Sequence, residues 1–253
     1  MNSFLLFNIG NTHTQWVRSD LHGVFTEVGE VTTTSWQENI SLLPEADGDS
    51  PVWASCVVPR AREHLSRSGY YKNLHFVDPQ SAAAAGVDFS LVDTSTLGAD
   101  RIANAVALLQ YDLPAANFDF GTAITLEIVL ADKKFAGGAI MPGRKLMRQA
   151  LNRGTAALPE VPLDHPLPEN PGVNTLQALA LGIDRGAVGM TKELMSVAVA
   201  QGVKIFTASG GDAKFFCEAI KELVPVEKTF TLRGVYHIAA KHLEKELIFD
   251  QES

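Results

Sequence analysis

Phe7-Asn8-Ile9-Gly10-Asn11-Thr12-His13-Thr14 and Phe118-Asp119-Phe120-Gly121-Thr122-Ala123-Ile124-Thr125 are two versions of one phrase, set at a common offset from Phe7 to Phe118 and from Thr14 to Thr125. An apolar run precedes each. An alternating run follows each, Thr14-Gln15-Trp16-Val17 in one and Thr125-Leu126-Glu127-Ile128 in the other. Strand, tight glycine turn, strand is the pattern of a hairpin, and its tip can hold a phosphate or a metal. One hairpin per half predicts a duplicated α/β fold with a nucleotide in the cleft between the halves. The first copy carries Asn where the second carries Asp.

The surrounding pattern extends this reading. Strands are predicted over 3–7, 13–18, 24–31, 51–58 and 74–77. A helix is predicted from an N-cap at Thr34-Ser35 to Leu43, and another from Pro59, which suits a first helical turn. Residues 82–92 read as loop. Ile102, Val106 and Leu109 give 100–111 a helical face. The second half repeats the opening with strands at 117–119, 124–130 and 135–140. Helices follow at 144–151 and 175–200, then a strand at 203–207 and helices at 213–223 and 234–247. The five prolines between Pro159 and Pro171 predict an extended, mobile loop. Strands followed by helices, twice, give domains at 1–113 and 114–253.

The chain has 253 residues, 46% hydrophobic and 20% charged, as in an ordinary globular protein. Its net charge of −8 argues against a broad nucleic-acid surface. Cys56 and Cys217 lack metal or redox spacing and read as buried free thiols. No apolar run is long enough to span a bilayer, and no basic leader precedes Leu5-Leu6-Phe7, so a cytoplasmic protein without a membrane partner is expected. The G-x-x-x-x-G-K-[ST] loop, the G-x-S-x-G elbow and zinc spacing are absent.

Five stretches could carry chemistry. Gly10 permits a turn, and Asn11 and Thr12 offer donors to phosphate oxygens; a plain hairpin would also favour these residues. Asp119 before Gly121-Thr122 suits a cation beside a phosphate, or a self-capped turn. Leu97-Gly98-Ala99-Asp100-Arg101 opens a helix. There Asp100 is either an N-cap or an acceptor for a substrate proton, and Arg101 can hold a carboxylate or phosphate. Gly137-Gly138-Ala139-Ile140-Met141-Pro142-Gly143 and Ser209-Gly210-Gly211-Asp212 let a ligand or another backbone approach, or are simple turns.

In this order the motifs resemble type III pantothenate kinase, of the acetate kinase, sugar kinase, Hsc70 and actin superfamily. The resemblance covers nearly the whole chain and includes Asn174-Thr175 followed by Gly182-Ile183. It implies two actin-like (ribonuclease H-like) domains and ATP-dependent phosphorylation of pantothenate, the first step toward coenzyme A. It implies that Asp100 is the general base and that Gly98, Ala99, Asp100, Arg101 and Thr175 line the pantothenate site. Asn8, Ile9, Gly10, Asn11, Thr12, His13, Thr14, Gln15 and Thr122 would meet ATP. Asp119 would bind a monovalent cation, K+ or NH4+, and a divalent ion, Mg2+, would accompany the nucleotide. It also implies a homodimer.

Three positions depart from the family pattern. Asn8 replaces an Asp, Glu127 replaces an Asp, and Leu91 stands where a Tyr is expected, with Thr94 for a nearby Pro. Asn8 removes a charge that a magnesium site would use. The competing reading is therefore a catalytically weakened homologue with a regulatory or partner-binding role.

Overall fold

The computed structural model describes residues 3–252, with side chains to Lys245. It divides into two compact units. The first takes in the chain to Gln110, Lys133–Phe135 and the segment from Thr229; the second is Tyr111–Asp132 with Ala136–Lys228.

In the first unit, β1 (Ser3–Ile9), β2 (His13–Asp20), β3 (Phe25–Thr32), β4 (Val52–Cys56) and β5 (Leu74–Phe76) form one sheet in the order β3-β2-β1-β4-β5. β1 runs antiparallel to β2 and parallel to β4. Alternation decides the faces. Leu5, Phe7 and Ile9 join Val52, Ala54 and Cys56 in a core with Trp36, Ala61, Leu65 and Tyr71. Phe4, Leu6 and Asn8 share the opposite face, where Phe4 meets Tyr236 edge-on at 6.0 Å. α1 (Thr33–Glu38) is capped two residues before Thr34, because Thr32 supplies the cap by accepting from Ser35 N. It ends before a separate 3-10 turn at Ile40–Leu42. α2 (Pro59–Ser68) has Pro at its start and stops at Gly69, whose φ of 63° is left-handed. α3 (Pro79–Ala84) is a helix partly within the predicted loop, nucleated by a reciprocal cap between Asp78 and Ser81. α4 is Ala99–Ala107.

In the second unit, β6 (Ala115–Phe120), β7 (Ala123–Val129), β8 (Phe135–Pro142), β9 (Ile205–Ser209) and β10 (Leu223–Pro225) have the order β10-β9-β6-β7-β8. Read backwards, this is the order of the first sheet. β6 is antiparallel to β7 and parallel to β9, repeating the pairings of β1. α5 (Arg144–Gly154), α6 (Thr175–Val199) and α7 (Ala213–Ala219) complete the unit. α7 is shorter than the predicted helix at 213–223. Ile220 is extended, and Leu223–Pro225 adds an edge strand beside β9, where a proline is tolerated. Phe118, Phe120, Phe206 and Phe216 form the aromatic centre, with Phe120 stacked on Phe216 at 4.0 Å. The proline-rich segment is tied down rather than free. Val161 is buried, Asn152 donates to Leu158 O at 2.8 Å, and Arg185 donates to Pro168 O at 2.7 Å.

The compact units divide the chain differently from 1–113 and 114–253. Lys133–Phe135 joins the first unit because Asp88 exchanges backbone hydrogen bonds with Lys133 and Phe135, at 3.0 and 2.8 Å. The segment from Thr229 joins it because α8 (Phe230–Glu252) packs on α4. Neither contact is between sequence neighbours, so periodicity cannot reveal it. Cys56 is buried and Cys217 half-buried, both free. Among the described residues, no helix is long and apolar enough to cross a membrane.

The α4–α8 contact depends on Gly234. A Cβ there would stand 1.8 Å from Ala103 O, a backbone atom that cannot yield. Gly234→Ala gains about 1 kcal/mol of helix propensity, yet overpacking costs about 1–3 kcal/mol. The expected outcome in denaturant unfolding is a lower midpoint for Gly234→Ala. A raised midpoint would show that the helices are not in close contact.

Candidate active site

The first hairpin turns at Gly10–Thr12, with Gly10 N donating to His13 O at 3.0 Å. Neighbouring groups clamp it. Thr33 N donates to Thr12 O at 3.0 Å and Thr33 Oγ1 to Gly10 O at 2.6 Å. Trp36 Nε1 donates to the buried Thr14 Oγ1 at 2.7 Å. Thr14 is therefore a structural anchor of the turn, while Asn11, Thr12 and His13 are exposed. Neither Thr33, which lies before the predicted helix, nor Trp36, which reads only as a helix residue, stands out in the sequence. Asn8 lies just before the turn, in register with Gln15 on β2 and Ser55 on β4. Ser55 Oγ is buried without a hydrogen-bond partner.

Asp100 belongs to this same end of the sheet. Val57 N donates to Ile9 O at 3.1 Å, and a Cβ on Gly98 would lie 3.6 Å from Val57 Cγ1 and 2.7 Å from Asp100 Oδ1. Gly98 thus lets the carboxylate fold back over the helix start. The N-cap of α4 is Gly98, not Asp100. Asp100 sits in the first turn, where the helix dipole favours an anion, and its Oδ1 accepts from Arg101 N at 2.7 Å. Burial pushes its pKa above the ordinary carboxylate value, against the opposing pull of Arg101's N–H and charge. Arg101 lies 5.9 Å from the Phe135 ring centre. Leu91 is 56% exposed, while its neighbours Ser90, Val92 and Thr94 line a cavity of about 580 Å³ with Gln80 and Asp88.

The second unit repeats the arrangement. Asp119 is in register with Thr125 and Ser209, as Asn8 is with Gln15 and Ser55. Three backbone turns crowd together there. Gly143 N donates to Thr122 O at 3.0 Å, and Asp212 N to Phe120 O at 3.0 Å. A Cβ on Gly143 would lie 2.3 Å from Gly121 O, and one on Gly210 would lie 2.4 Å from Asp119 Oδ1. Gly210 also has φ +90°, so both conformation and space demand glycine. Thr122 is exposed at the tip. Glu127 is wholly buried in a polar seam; Asn117 Nδ2 donates to it at 3.3 Å and to Ser209 Oγ at 3.1 Å.

Thr175 is the first residue of α6, exposed beside the cap Asn174, whose side chain accepts from Gln177 N at 3.0 Å. The structure thus gathers Asn8–Gln15 with Gly98–Arg101 in the first unit, and Asp119 and Thr122 with the Gly143 and Gly210 turns in the second. It also reveals a cluster of buried Arg144, Arg148 and Asp184 with half-buried Asp212. The sequence hint was an Asp within the apolar helix 175–199, since Asp is seldom buried without a partner.

The donor set fits a cation carried by a nucleotide. Asp119 offers one carboxylate beside three turns, and among the described residues no group of three His, Cys, Asp or Glu could cage a metal alone. Hard cations take oxygen ligands, and a single carboxylate leaves the other positions to phosphate oxygens and water.

Residues 4–197 match the family model described as type III pantothenate kinase. A type III pantothenate kinase of Akkermansia muciniphila is 32% identical over 250 residues, covering 95% of this chain and all of that protein. One of Thermosipho melanesiensis is 32% identical over 246 residues, covering 92% and 96%. The chain belongs to the type III pantothenate kinase family. A solved protein assigned to the Baf family of transcriptional activators, from Campylobacter jejuni, superposes with TM-score 0.65 at 21% identity, over 95% of this chain and 99% of that one. The activator of 2-hydroxyisocaproyl-CoA dehydratase from Clostridium difficile, solved with ADPNP, gives TM-score 0.52 at 12% identity, over 96% and 97%. These last two likenesses speak to fold alone. With the sheet order repeated in both units, they bear out two duplicated actin-like domains.

For this family member, the raised Asp100 pKa has a stability consequence. The native state binds the Asp100 proton more tightly than the unfolded chain. The stabilisation is therefore complete below the unfolded pKa and is lost as pH rises through the folded one. Ionised Asp100 costs stability at neutral pH. Asp100→Asn, which keeps an acceptor for Arg101 N, is expected to melt higher than the parent at about pH 8. The gap should close toward about pH 4. A lower melting point for the variant across this range would contradict the burial argument.

Proposed function

We propose that this chain transfers the γ-phosphoryl group of ATP to the hydroxyl of pantothenate, giving 4'-phosphopantothenate in the first step of coenzyme A biosynthesis. The observation that carries the residue assignment is the Asp100 carboxylate, folded back at the start of α4 by Gly98 and biased by burial toward holding a proton.

In this reading Asp100 accepts the proton of the pantothenate hydroxyl as that oxygen bonds to the γ-phosphorus. The bond from phosphorus to the bridging oxygen breaks, and ADP leaves. The transition state is loose, so a carboxylate of ordinary strength suffices and positioning supplies most of the rate. Gly98, Ala99, Arg101 and Thr175 hold pantothenate, with Arg101 suited to its carboxylate. The turn from Asn8 to Gln15 presents donors to phosphate oxygens, and Thr122 offers a hydroxyl to ATP. Asp119 holds the monovalent cation, K+ or NH4+. The divalent cation, when bound with ATP, neutralises charge on the phosphate oxygens. The working form is a cytoplasmic homodimer.

Asn8 favours a second reading, a homologue of reduced activity that binds nucleotide in a regulatory role. Asn8 keeps the register that Asp119 has in the other unit but lacks its charge.

The deciding assay is ATP-dependent phosphorylation of pantothenate with Mg2+, with and without K+ or NH4+. Turnover that needs the monovalent ion is expected; nucleotide binding without turnover would favour the second reading. Asp100→Asn should lower kcat by about 10²–10⁴ while ATP binding changes little. The acid limb of the parent's kcat/KM profile should lie above the usual carboxylate range, because activity is lost as pH falls through a raised pKa. A limb at the ordinary value, or near-normal turnover in the variant, would remove Asp100 as the base. Asn8→Asp should raise magnesium-dependent turnover if Asn8 is a lesion; no gain, or a loss, would mean the turn is adapted to Asn.

A further inference from the structure

Arg144 opens α5 directly after Gly143, and its side chain is 2% exposed. Its bonding is unusually complete. Nε donates to Asp212 Oδ2 at 2.7 Å and Nη2 to Oδ1 at 2.6 Å, a parallel fork. Nη1 donates to Asp184 Oδ1 at 3.0 Å. The guanidinium also covers Phe215, with Cζ 3.3 Å from the ring centre. One turn later Arg148 Nη2 meets both Asp184 oxygens, at 2.8 and 3.0 Å. His165 closes the cluster. Its Nε2 lies 3.3 Å from Arg148 Nη2, and its Nδ1 lies 3.1 Å from Pro166 O and 3.6 Å from Asp184 Oδ2.

Two arginines and two aspartates balance in charge, but balance does not explain their presence. Apolar residues in such a place are often as stabilising as a buried ion cluster. The cluster does provide fixed geometry. Asp212 is the N-cap of α7, yet its side chain makes no capping bond, because Arg144 holds the carboxylate. Its backbone N–H is held by Phe120 O, and Gly210, two residues earlier, lies against the Asp119 carboxylate. An unbroken series of contacts runs from Asp184 through Arg144, Asp212 and Gly210 to Asp119.

We infer that Arg144, oriented by Asp184 and Arg148, is a positioning residue for nucleotide binding by the second unit. It fixes Asp212, and through Asp212 the Gly210–Gly211 turn against Asp119. Arg144 does not itself touch the nucleotide, since its fork, its third nitrogen and its face are already engaged. The inference rests on the phosphotransfer reading above.

The test uses the full chain and a non-hydrolysable ATP analogue with Mg2+ as the binding probe, alongside KM for ATP and for pantothenate. Arg144→Lys keeps the charge but loses the fork. It should weaken analogue binding and raise the ATP KM in parallel, each by about tenfold, with the pantothenate KM unchanged. Unchanged analogue affinity, or equal rises in both KM values, would overturn the inference. Asp212→Asn serves if the lysine variant does not fold, because Asp212 is 26% exposed and the Arg144–Asp184 contact survives. It should melt near the parent and still bind the analogue about threefold or more weaker; parental affinity would overturn the inference. Failure of the phosphotransfer reading is separate and shows as absent pantothenate turnover in the parent.

Discussion

A parallel strand pair ending in a glycine turn is the constraint on which each half depends. In the first unit the pair is β1 with β4, and in the second it is β6 with β9. The ladder fixes Asn8 beside Ser55 and Asp119 beside Ser209. A slip of one residue would turn Asn8 or Asp119 to the opposite face. The flanking cores prevent it. Leu5, Phe7 and Ile9 are locked on one side of the first sheet, and Phe118 and Phe120 are buried in the second. Hydrophobic burial thereby holds the polar groups in place, and the residues proposed to bind ligand lie at the carboxyl ends of β1 and β6, where open α/β sheets favour binding.

Close backbone approach is the second requirement. Gly98, Gly143, Gly210 and Gly234 each stand where a methyl group would meet a carboxylate oxygen or a peptide. Three of them adjoin the candidate site and one joins two helices. Only glycine permits such spacing, although its flexible unfolded chain makes ordering it expensive. Asp100 shows a similar conflict, since burial opposes the ionised form that its proposed role as proton acceptor needs. Functional sites commonly hold such locally unfavourable groups, with the surrounding packing making up the difference.

The two halves share topology but not their electrostatics. The second unit has Asp119 at its turn and a buried ion cluster behind it. The first has Asn8, the orphan hydroxyl of Ser55 and a clamp of neutral hydrogen bonds from Thr33 and Trp36. The repeated topology supplies equivalent positions, and different residues occupy them. Sequence identity of about a third over nearly the full length places the chain in its family. Within that family, Asn8 and Glu127 are read by where they sit: one half-buried just before a turn, the other sealed in a seam with Asn117.

The doubled phrase, the period-two strands and the glycine turns were legible without coordinates because they depend on local conformation and on repetition. They determined the α/β class, the duplication and the turn residues, and with them the family resemblance. Thr14 could be assigned to the first turn, but not its job as an anchor for Trp36, 22 residues away. The placement of α8 on the first unit, the edge strand β10 and the Arg144–Asp184 pair, separated by 40 residues, were decided only by tertiary structure. Local propensity has no term for which distant surface a helix covers or which buried charge finds its partner. Those outcomes follow from packing and desolvation over the assembled unit, where Gly234 admits α4 and an otherwise costly Asp184 is held by two arginines.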